Sequence, residues 1–344
     1  MSNIKILDCT LRDGGHVNNS EFGKQVIQEV AYGLTKAKID YVEMGFLKNG
    51  TFTDDQSSCN DVSEMSENIP DSVTETKYTA MIRPDWYDIQ QLSLTKKKID
   101  IIRFAFYYRD YELMSEYAHI VSERGYGFIC NPVNIMGYTD DRIKELVERL
   151  NKLKPEQLTI VDTYGALTFD DINRIYNLIE HNLDLNIRIG LHLHENQSLA
   201  YGLFHEFLKI KNPLRKVVID ASLLGMGRMP GNLCMEILAN HMNSYYAGQY
   251  DVSEIYRLIG KYIEPLKEKY GWGYNPAYFL TGKMNMHRSY GEYLLDKGLD
   301  IYEISKLLEM VPKNAKDEFH KEVIETIYND AIVDKKIWEA KVWN

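Results

Sequence analysis

Two histidines separated by one residue form the pattern in this chain that most directly suggests chemistry. His192 and His194 end an apolar run, residues 187–194, that predicts a β-strand. Successive side chains of a strand point to opposite faces, so these two imidazoles share one face. Two imidazoles in a confined space repel each other when protonated, and a divalent metal ion relieves that conflict. The pair is also typical of two hydrogen-bonded structural histidines, and the spacing alone leaves both interpretations open.

A carboxylate near the N-terminus strengthens the metal interpretation. The apolar run 4–9 predicts the first strand, and Arg12-Asp13-Gly14-Gly15-His16 follows it. We expect a tight turn here, in which the two glycines permit unusual backbone dihedral angles. Arg12, Asp13 and His16 would then stand at the C-terminal end of the first strand.

The elements that must position these residues are eight short apolar runs, separated by helical patterns such as 22–37 and 142–153. The predicted strands are 4–9, 41–46, 78–82, 101–106, 126–133, 158–161, 187–194 and 217–222. Their starts are 37, 37, 23, 25, 32, 29 and 30 residues apart, which suits a βα unit of about 30 residues. Eight parallel strands predict an α/β fold, a TIM (β/α)8 barrel over residues 1–245. Only strand eight separates strands one and seven in such a barrel, so Asp13, His192 and His194 are expected to converge.

The last hundred residues differ in character. A helical stripe from Val252 to Tyr262 ends near Gly271, and helical patterns cover 284–296, 301–310 and 317–332. Residues 246–344 therefore predict a C-terminal helical extension. The polar segment 48–77 predicts a long loop at the active-site end, either a solvated surface loop or a lid.

A glycine-punctuated loop follows the eighth strand and ends at Asn232. It contains Gly225-Met226-Gly227 but lacks the third glycine and the later acidic residue of a dinucleotide-binding fingerprint. Such a loop either forms a backbone anion nest or lets a side chain approach a metal closely. Asn232 offers a neutral carbonyl ligand.

These motifs together resemble the DRE-TIM metallolyase superfamily, which includes HMG-CoA lyase, isopropylmalate synthase and 4-hydroxy-2-oxovalerate aldolase. The resemblance rests on Asp-x-Thr-Leu-Arg-Asp-Gly after strand one, His-x-His on strand seven and Gly-x-Gly…Gly-Asn after strand eight. It implies that Asp13, His192 and His194 bind Mn²⁺ or Mg²⁺, with Asn232 as a fourth protein ligand. It also implies that Thr163 lies in a substrate-facing turn after strand six.

The run Leu-Arg-Asp-Gly-x-His resembles the aldolase branch of this superfamily, in which the histidine is the acid/base on the substrate hydroxyl. His16 has that offset, and Arg12 is expected to donate a hydrogen bond to the developing enolate. Acyl-CoA-condensing synthases have an acidic residue where this chain has Gly15. The aldolases also carry a tyrosine past the barrel in a Gly-x-x-Gly-x-Tyr run, and His287 stands at its place here. His287 and Tyr290 are therefore both candidates to enter the site.

Two charged residues on predicted strands leave alternatives open. Glu43 on strand two and Arg103 on strand four either form a buried ion pair or contact the substrate. At the level of the whole chain, the favoured function is a metal-dependent aldolase acting on a 4-hydroxy-2-oxo acid. The alternatives are an acyl-CoA-dependent Claisen-type synthase or lyase, and a non-catalytic barrel scaffold.

The charge of the chain argues against nucleic acid and membrane surfaces as partners. Its 344 residues include 40 Lys and Arg and 50 Asp and Glu, a net charge of −10, which would repel phosphate backbones and anionic lipid. The four cysteines have no metal-site spacing, and we expect neither a leader nor a membrane-spanning run of about 18 apolar residues. We therefore expect a reduced, cytoplasmic protein whose partner is a small 2-oxo acid. A homodimer or an aldehyde dehydrogenase partner is a further possibility.

Overall fold

The computed structural model describes residues 3–71, 75–94 and 97–334. Eight parallel strands form a closed barrel in sequence order, and β1 pairs with β8 to close it. The strands are β1 Ile4–Asp8, β2 Tyr41–Leu47, β3 Lys77–Ile82, β4 Ile101–Phe106, β5 Gly127–Pro132, β6 Gln157–Val161, β7 Arg188–His192 and β8 Val217–Ala221. The predicted TIM barrel is confirmed.

The strands form where the chain is apolar because both of their faces are covered. Every residue of β2 and of β8 is buried, as expected for parallel strands packed between a barrel interior and outer helices. A small cluster inside the barrel is apolar: Leu7, Cys9, Tyr41, Ile101, Ile129 and Val218. Toward the C-terminal ends of the strands the buried side chains become polar, among them Glu43, Arg103 and Asp220. The barrel therefore presents its polar layer at the end where TIM barrels carry their sites.

The outer helices are amphipathic. The helices up to the end of the barrel are α1 Thr10–Asp13, α2 Gly15–Asn18, α3 Lys24–Lys36, α4 Val62–Ser66, α5 Tyr111–Glu123, α6 Asp140–Leu153, α7 Phe169–Asn182, α8 Ala200–Ile210 and α9 Met235–Tyr245. In α6 the buried residues Ile143, Leu146, Val147 and Leu150 form one stripe that packs on the sheet. The Thr139 hydroxyl accepts a hydrogen bond from the Arg142 backbone N–H and caps the helix.

All described elements after residue 245 are helical, as predicted. They are α10 Val252–Leu258, a π-helical turn Ile259–Ile263, α11 Glu264–Tyr270, α12 Pro276–Lys283, α13 Ser289–Asp296, α14 Ile301–Glu309, a 3₁₀ turn Lys313–Ala315 and α15 Lys321–Asp334. The main hydrophobic cluster of the barrel extends to Trp272, and a second cluster begins at Ala277. The boundary between the two hydrophobic clusters thus lies about thirty residues after the predicted domain boundary at 245/246. We call α12–α15 the C-terminal bundle.

The turn after β1 differs from the expected glycine turn. Gly14 has φ −57° and ψ −30°, ordinary helical values, and it joins α1 to α2. A side chain at this position would place its Cβ 2.2 Å from the Thr10 carbonyl oxygen and 3.1 Å from the Met226 Cγ. The prediction of unusual dihedral angles was wrong, because Gly14 is required by close packing instead.

The polar segment 48–77 is more structured than either interpretation predicted. It contains α4, its Ser57 hydroxyl donates to the Leu11 carbonyl oxygen at 2.7 Å, and Ser57, Ser58 and Cys59 are buried. The segment therefore packs against the residues that follow β1. Its residues 72–74 lie outside the described residues. Within the described residues, no helix is both long and apolar enough to cross a membrane.

Candidate active site

Three potential metal ligands converge at the C-terminal end of the barrel. Ligand atoms of Asp13, His192 and His194 all lie within 4.8 Å of one another, and all three residues are buried. Asp13 ends α1, His192 ends β7, and His194 forms an isolated bridge with Asn232. The barrel closure that joins β1 to β8 and β8 to β7 brings them together, as the strand count predicted.

The second ring nitrogens of both histidines are held in place. His194 Nδ1 lies 2.7 Å from the backbone carbonyl oxygen of Asp162. It must therefore carry the proton, because a carbonyl oxygen only accepts. His192 Nδ1 lies 3.1 Å from Asp220 Oδ2, an arrangement typical of metal-binding histidines. Both Nε2 atoms are then free to present lone pairs to a metal.

The electrostatics of the cluster suit a cation. Burial lowers the pKa of His192 and outweighs its hydrogen bond to Asp220, so the imidazole is neutral. Burial alone would raise the pKa of Asp13, but the adjacent Arg12 guanidinium holds it well below its usual value. The site thus offers one carboxylate and two imidazoles, a donor set that divalent first-row metals accept.

Orphaned polar atoms in the described chain provide an independent test of whether a metal fits. His194 Nε2 and Asn232 Oδ1 are buried, and neither has a hydrogen-bond partner among the described residues. The Asn232 Nδ2 group donates to Asp13 Oδ2 at 2.9 Å, which fixes the carboxamide beside the three ligands. Both orphaned atoms are acceptors, and a divalent ion would satisfy them. The fourth-ligand role of Asn232 stays a prediction.

Arg12 and the strand residues form a buried ion-pair network. Arg12 Nε donates to Glu43 Oε2 at 2.7 Å, and its Nη1 pairs with Asp13. Arg103 donates to Glu43 at 2.9 Å and to Asp220 at 2.5 Å. Glu43 and Arg103 therefore form the ion pair that was one of the two alternatives. Arg103 also borders the pocket described next, and its contact with substrate stays a prediction.

A pocket lies over the metal cluster, with a volume of about 660 Å³ that includes the open solvent at its mouth. Besides Asp13, His192 and His194, its lining includes Arg12, His16, Phe46, Arg83, Trp86, Arg103, Tyr107, Thr163 and Arg228. The structure thus brings Arg12, His16, Arg103 and Thr163 to one cavity with the three ligands.

His16 and Thr163 stand on different walls of this pocket. The His16 ring packs edge-on against Phe46, with 5.6 Å between ring centroids. Burial, with a contribution from Arg228, lowers the pKa of His16 to about 3, so the imidazole is neutral and can accept a proton. The Thr163 hydroxyl accepts a hydrogen bond from the Asn134 backbone N–H at 2.7 Å.

The two candidates past the barrel occupy other places. His287 Nε2 lies 2.6 Å from Arg228 Nη2, so His287 reaches the pocket through that arginine. Tyr290 is fully buried in the second hydrophobic cluster. Its hydroxyl donates to the Ala315 carbonyl oxygen at 2.7 Å and accepts from the His320 backbone N–H at 3.1 Å. The prediction that Tyr290 contacts substrate does not fit this position, because its hydroxyl is used by the backbone of the C-terminal bundle.

The pocket residues that were not predicted include Arg83, Trp86, Tyr107 and Arg228. Arg83 and Tyr107 directly follow the ends of β3 and β4, and residues at the C-terminal ends of barrel strands face the site. The strand predictions therefore already contained the signal for these two.

Comparison with known proteins identifies relatives of one superfamily. A sequence model of the HMGL-like family matches residues 111–259. A 4-hydroxy-2-oxovalerate aldolase of Pelotomaculum thermopropionicum is 23% identical, over 77% of this chain and 78% of its own. An oxaloacetate decarboxylase of Mycobacterium tuberculosis is 22% identical, over 68% of each chain.

Solved structures of this superfamily share the fold. The HMG-CoA lyase of Brucella melitensis superimposes with a TM-score of 0.63 at 14% identity, covering 78% of this chain and all of that one. The carboxyl transferase domain of Rhizobium etli pyruvate carboxylase gives 0.70 at 14% identity, covering 97% of this chain and 62% of that one. The motifs, the HMGL-like match and the curated relatives support the assignment of this chain to the DRE-TIM metallolyase superfamily.

Proposed function

We propose that this protein is an aldolase that cleaves or forms the C3–C4 bond of a 4-hydroxy-2-oxo acid, with pyruvate as one product. The observation that carries the proposal is the position of His16 on the wall of the pocket that holds Asp13, His192 and His194. Relatives that bear the name 4-hydroxy-2-oxovalerate aldolase support it at 22–24% identity.

Asp13, His192 and His194, with Asn232 beside them, would hold the divalent ion, for which we propose Mn²⁺ or Mg²⁺. When bound, such an ion supplies Lewis-acid stabilisation of negative charge on the keto oxygen of a 2-oxo acid. The superfamily is divalent-metal-dependent, and the orphaned acceptors on His194 and Asn232 support this use of the site.

His16 and Arg12 have distinct tasks in the proposed cleavage. His16 takes the proton from the 4-hydroxyl, and the C3–C4 bond breaks. The electron pair of that bond forms the enolate of pyruvate, and carbon 4 leaves as the carbonyl carbon of an aldehyde. The enolate carbon then takes up one proton, which balances the proton lost. The Nε and Nη1 groups of Arg12 are committed to Glu43 and Asp13. Its Nη2 donors are left for the enolate oxygen.

Two substitutions test these roles. In an assay of pyruvate release from 4-hydroxy-2-oxo acids of varied length with Mn²⁺, we expect H16A to lower turnover by about 10²–10⁴-fold. We expect R12A to lower it by about 10²–10³-fold. Both variants should keep their bound metal, measured by elemental analysis. His181 is an exposed histidine on α7, and H181A is the matched control with wild-type turnover.

The same assay decides between the alternatives. No pyruvate from any of these acids would contradict the aldolase proposal, and loss of metal from H16A would make His16 a ligand instead. Release of free thiol from acetyl-CoA in the presence of a 2-oxo acid would favour the Claisen-type alternative. Failure to bind any divalent ion would favour a scaffold. A homodimer or an aldehyde dehydrogenase partner stays a prediction.

A further inference from the structure

One pocket arginine, Arg228, has no part in the proposed bond cleavage and forms no ion pair with a carboxylate of the described residues. Arg228 lies in the loop between β8 and α9, is half-buried and lines the pocket. Its guanidinium lies 5.9 Å from the centre of the Tyr164 ring, and Nη2 donates to His287 Nε2 at 2.6 Å. Its backbone N–H donates to Asp13 Oδ2 at 2.9 Å, so the loop that carries it is anchored at the metal cluster.

The other three arginines of the pocket each have a carboxylate partner. Arg12 pairs with Asp13 and Glu43, Arg103 with Glu43 and Asp220, and Arg83 with Asp85 in a two-point contact. Among residues 3–71, 75–94 and 97–334, no carboxylate forms an ion pair with Arg228.

The charges around the metal cluster already account for the first carboxylate of a 2-oxo acid. Asp13 is the one carboxylate among the three predicted metal ligands, so a divalent ion there leaves one positive charge for the substrate. A 2-oxo acid brings one negative charge to that position. Arg228 is therefore a surplus cation, and a half-buried cation without a counter-charge is costly.

The groups around Arg228 do not supply the missing charge. Burial, together with Arg228 and Arg288, lowers the pKa of His287 to about 2, so this imidazole is neutral and acts as an acceptor. Tyr164 offers the face of an aromatic ring, and its hydroxyl donates to the Asp317 carbonyl oxygen. Arg288, the nearest other cation acting on Arg228, is paired with Glu292. Among the described residues, the direct side-chain contacts of the Arg228 guanidinium are thus with neutral groups, although the charge of Asp13 also acts on it.

We propose that Arg228 binds an anionic group, a carboxylate or a phosphate, at the far end of the substrate. This inference rests on the proposed function and narrows it: the aldehyde half of the 4-hydroxy-2-oxo acid carries a second negative charge. A guanidinium presents two parallel N–H donors, which match the oxygen pairs of carboxylate and phosphate groups. Tyr164 and His287 act as positioning residues for it.

Matched aldehydes test the inference in the direction of bond formation. Pyruvate is combined with succinic semialdehyde or butanal, and with glyceraldehyde 3-phosphate or glyceraldehyde, in the presence of Mn²⁺. We expect kcat/KM for the anionic member of at least one pair to exceed that of its neutral counterpart by more than tenfold. The pair that shows the preference identifies the anionic group as carboxylate or phosphate. Equal or better use of both neutral aldehydes overturns the inference.

Substitution of Arg228 tests whether this residue causes the preference for anionic aldehydes. We expect R228M to lower kcat/KM for the anionic aldehyde by about 10²-fold or more, with a smaller loss for the neutral one, and R228K to restore part of the preference. Arg174 lies on α7 outside the pocket and pairs with Asp140. R174M, which changes the net charge equally, should keep the preference. An equal loss for both aldehydes in R228M would make Arg228 a structural residue and overturn the inference.

Anion binding without catalysis gives a second readout. Inorganic phosphate and acetate are titrated separately into metal-free protein, with the fluorescence of Trp86 in the pocket wall and calorimetry as signals. We expect saturable binding of at least one anion by the wild type and by R174M, and its loss in R228M. Equal binding by the wild type and R228M overturns the inference.

Exchange of solvent deuterium into the methyl group of pyruvate separates the two proposals, because it requires enolate formation but no aldehyde. Exchange with no preference for anionic aldehydes contradicts only the role of Arg228. Absence of both exchange and condensation contradicts the aldolase proposal, and the anion titration then decides on Arg228 by itself.

Discussion

The two histidines of the cluster are oriented by different kinds of group. A backbone carbonyl holds His194, whereas the carboxylate of Asp220 holds His192. A side chain can be exchanged and a backbone group cannot, so Asp220 is the point at which the orientation of one ligand can be tested. Asp220 also accepts from Arg103, which ties the metal cluster to the ion-pair network below it.

Replacing Asp220 by asparagine is expected to weaken metal binding. The carboxylate that accepts from His192 Nδ1 is lost, and outer partners of this kind contribute about 10–100-fold in metal affinity. Titration of Mn²⁺ followed by the magnetic resonance signal of the free ion measures the change. The control is N131A, because Asn131 contacts Arg103 at 3.0 Å without contacting His192. Equal affinities of D220N and N131A would contradict the role of Asp220.

A second buried carboxylate makes stability depend on pH. Burial, with the nearby charges of Glu43 and Asp220, raises the pKa of Asp8 to about 7, although hydrogen bonds from Thr10 oppose the shift. In the unfolded chain its pKa is about 3.9. The folded state therefore binds more protons between these values, and stability is lost as the pH rises from about 4 to 7.

We expect D8N to remove this loss. The wild type should lose on the order of 4 kcal/mol of unfolding free energy from this group between pH 4 and pH 8. The advantage of D8N over the wild type should then grow with pH. Urea unfolding of metal-free protein at pH 5 and pH 8 measures the difference. D141N, at a side chain that is 98% exposed, is the control. Parallel curves for D8N and the wild type would contradict the prediction.

At the scale of elements, the loop between β8 and α9 depends on a residue without a side chain where it crosses the metal cluster. A Cβ at Gly227 would lie 2.1 Å from Asn232 Nδ2 and 2.6 Å from Asp13 Oδ2. The absence of a side chain there lets the loop pass directly over the metal cluster. Of the two alternatives predicted for this loop, the close approach of a side chain to a metal site fits the position of Asn232, which donates to Asp13.

The substitution G227A is expected to displace Asp13 and Asn232 and to lower metal affinity by at least about tenfold. Calorimetric titration with Mn²⁺ measures it. The control is G202A on α8, where the added Cβ meets only the Phe169 side chain at 3.3 Å. Alanine is also favoured over glycine in a helix. Wild-type affinity in G227A would show that the loop can shift without affecting the ligands.

The strands and the turn after β1 show which parts of the fold and site could be predicted from the sequence. The strand rhythm was predictable because parallel strands buried on both faces are continuous apolar runs, and the convergence of Asp13 with the histidines followed from barrel closure. The helical form of the turn after β1 was not predictable. Gly14 is required by contacts with Thr10 and Met226, and Met226 is distant in sequence. The buried place of Tyr290 likewise depends on backbone groups of Ala315 and His320.

At the scale of the whole molecule, the C-terminal bundle packs on the active-site end of the barrel. Asn134 after β5 donates to Asp317 at 2.8 Å, and Asn196 after β7 donates to the Tyr278 carbonyl oxygen at 3.0 Å. Gly282 allows this approach, because its Cβ would lie 2.6 Å from the Asn196 Cβ. The bundle therefore braces loops that border the pocket, through polar contacts, while its own hydrophobic cluster is separate from that of the barrel.

Because the two hydrophobic clusters are separate, we expect a substitution that weakens only the C-terminal bundle to make the bundle unfold before the barrel. Leu308 in α14 and Leu150 in α6 are both fully buried, one in each cluster, and each Leu→Ala change should cost about 2–5 kcal/mol. We expect L308A to show an early partial loss of helical circular dichroism on heating and to keep wild-type affinity for Mn²⁺ below that transition, because no ligand lies in the bundle. L150A should lower the temperature at which the barrel and its metal site are lost together. A single coincident transition in L308A would show instead that the polar contacts of Asn134 and Asn196 couple the bundle and the barrel into one cooperative unit.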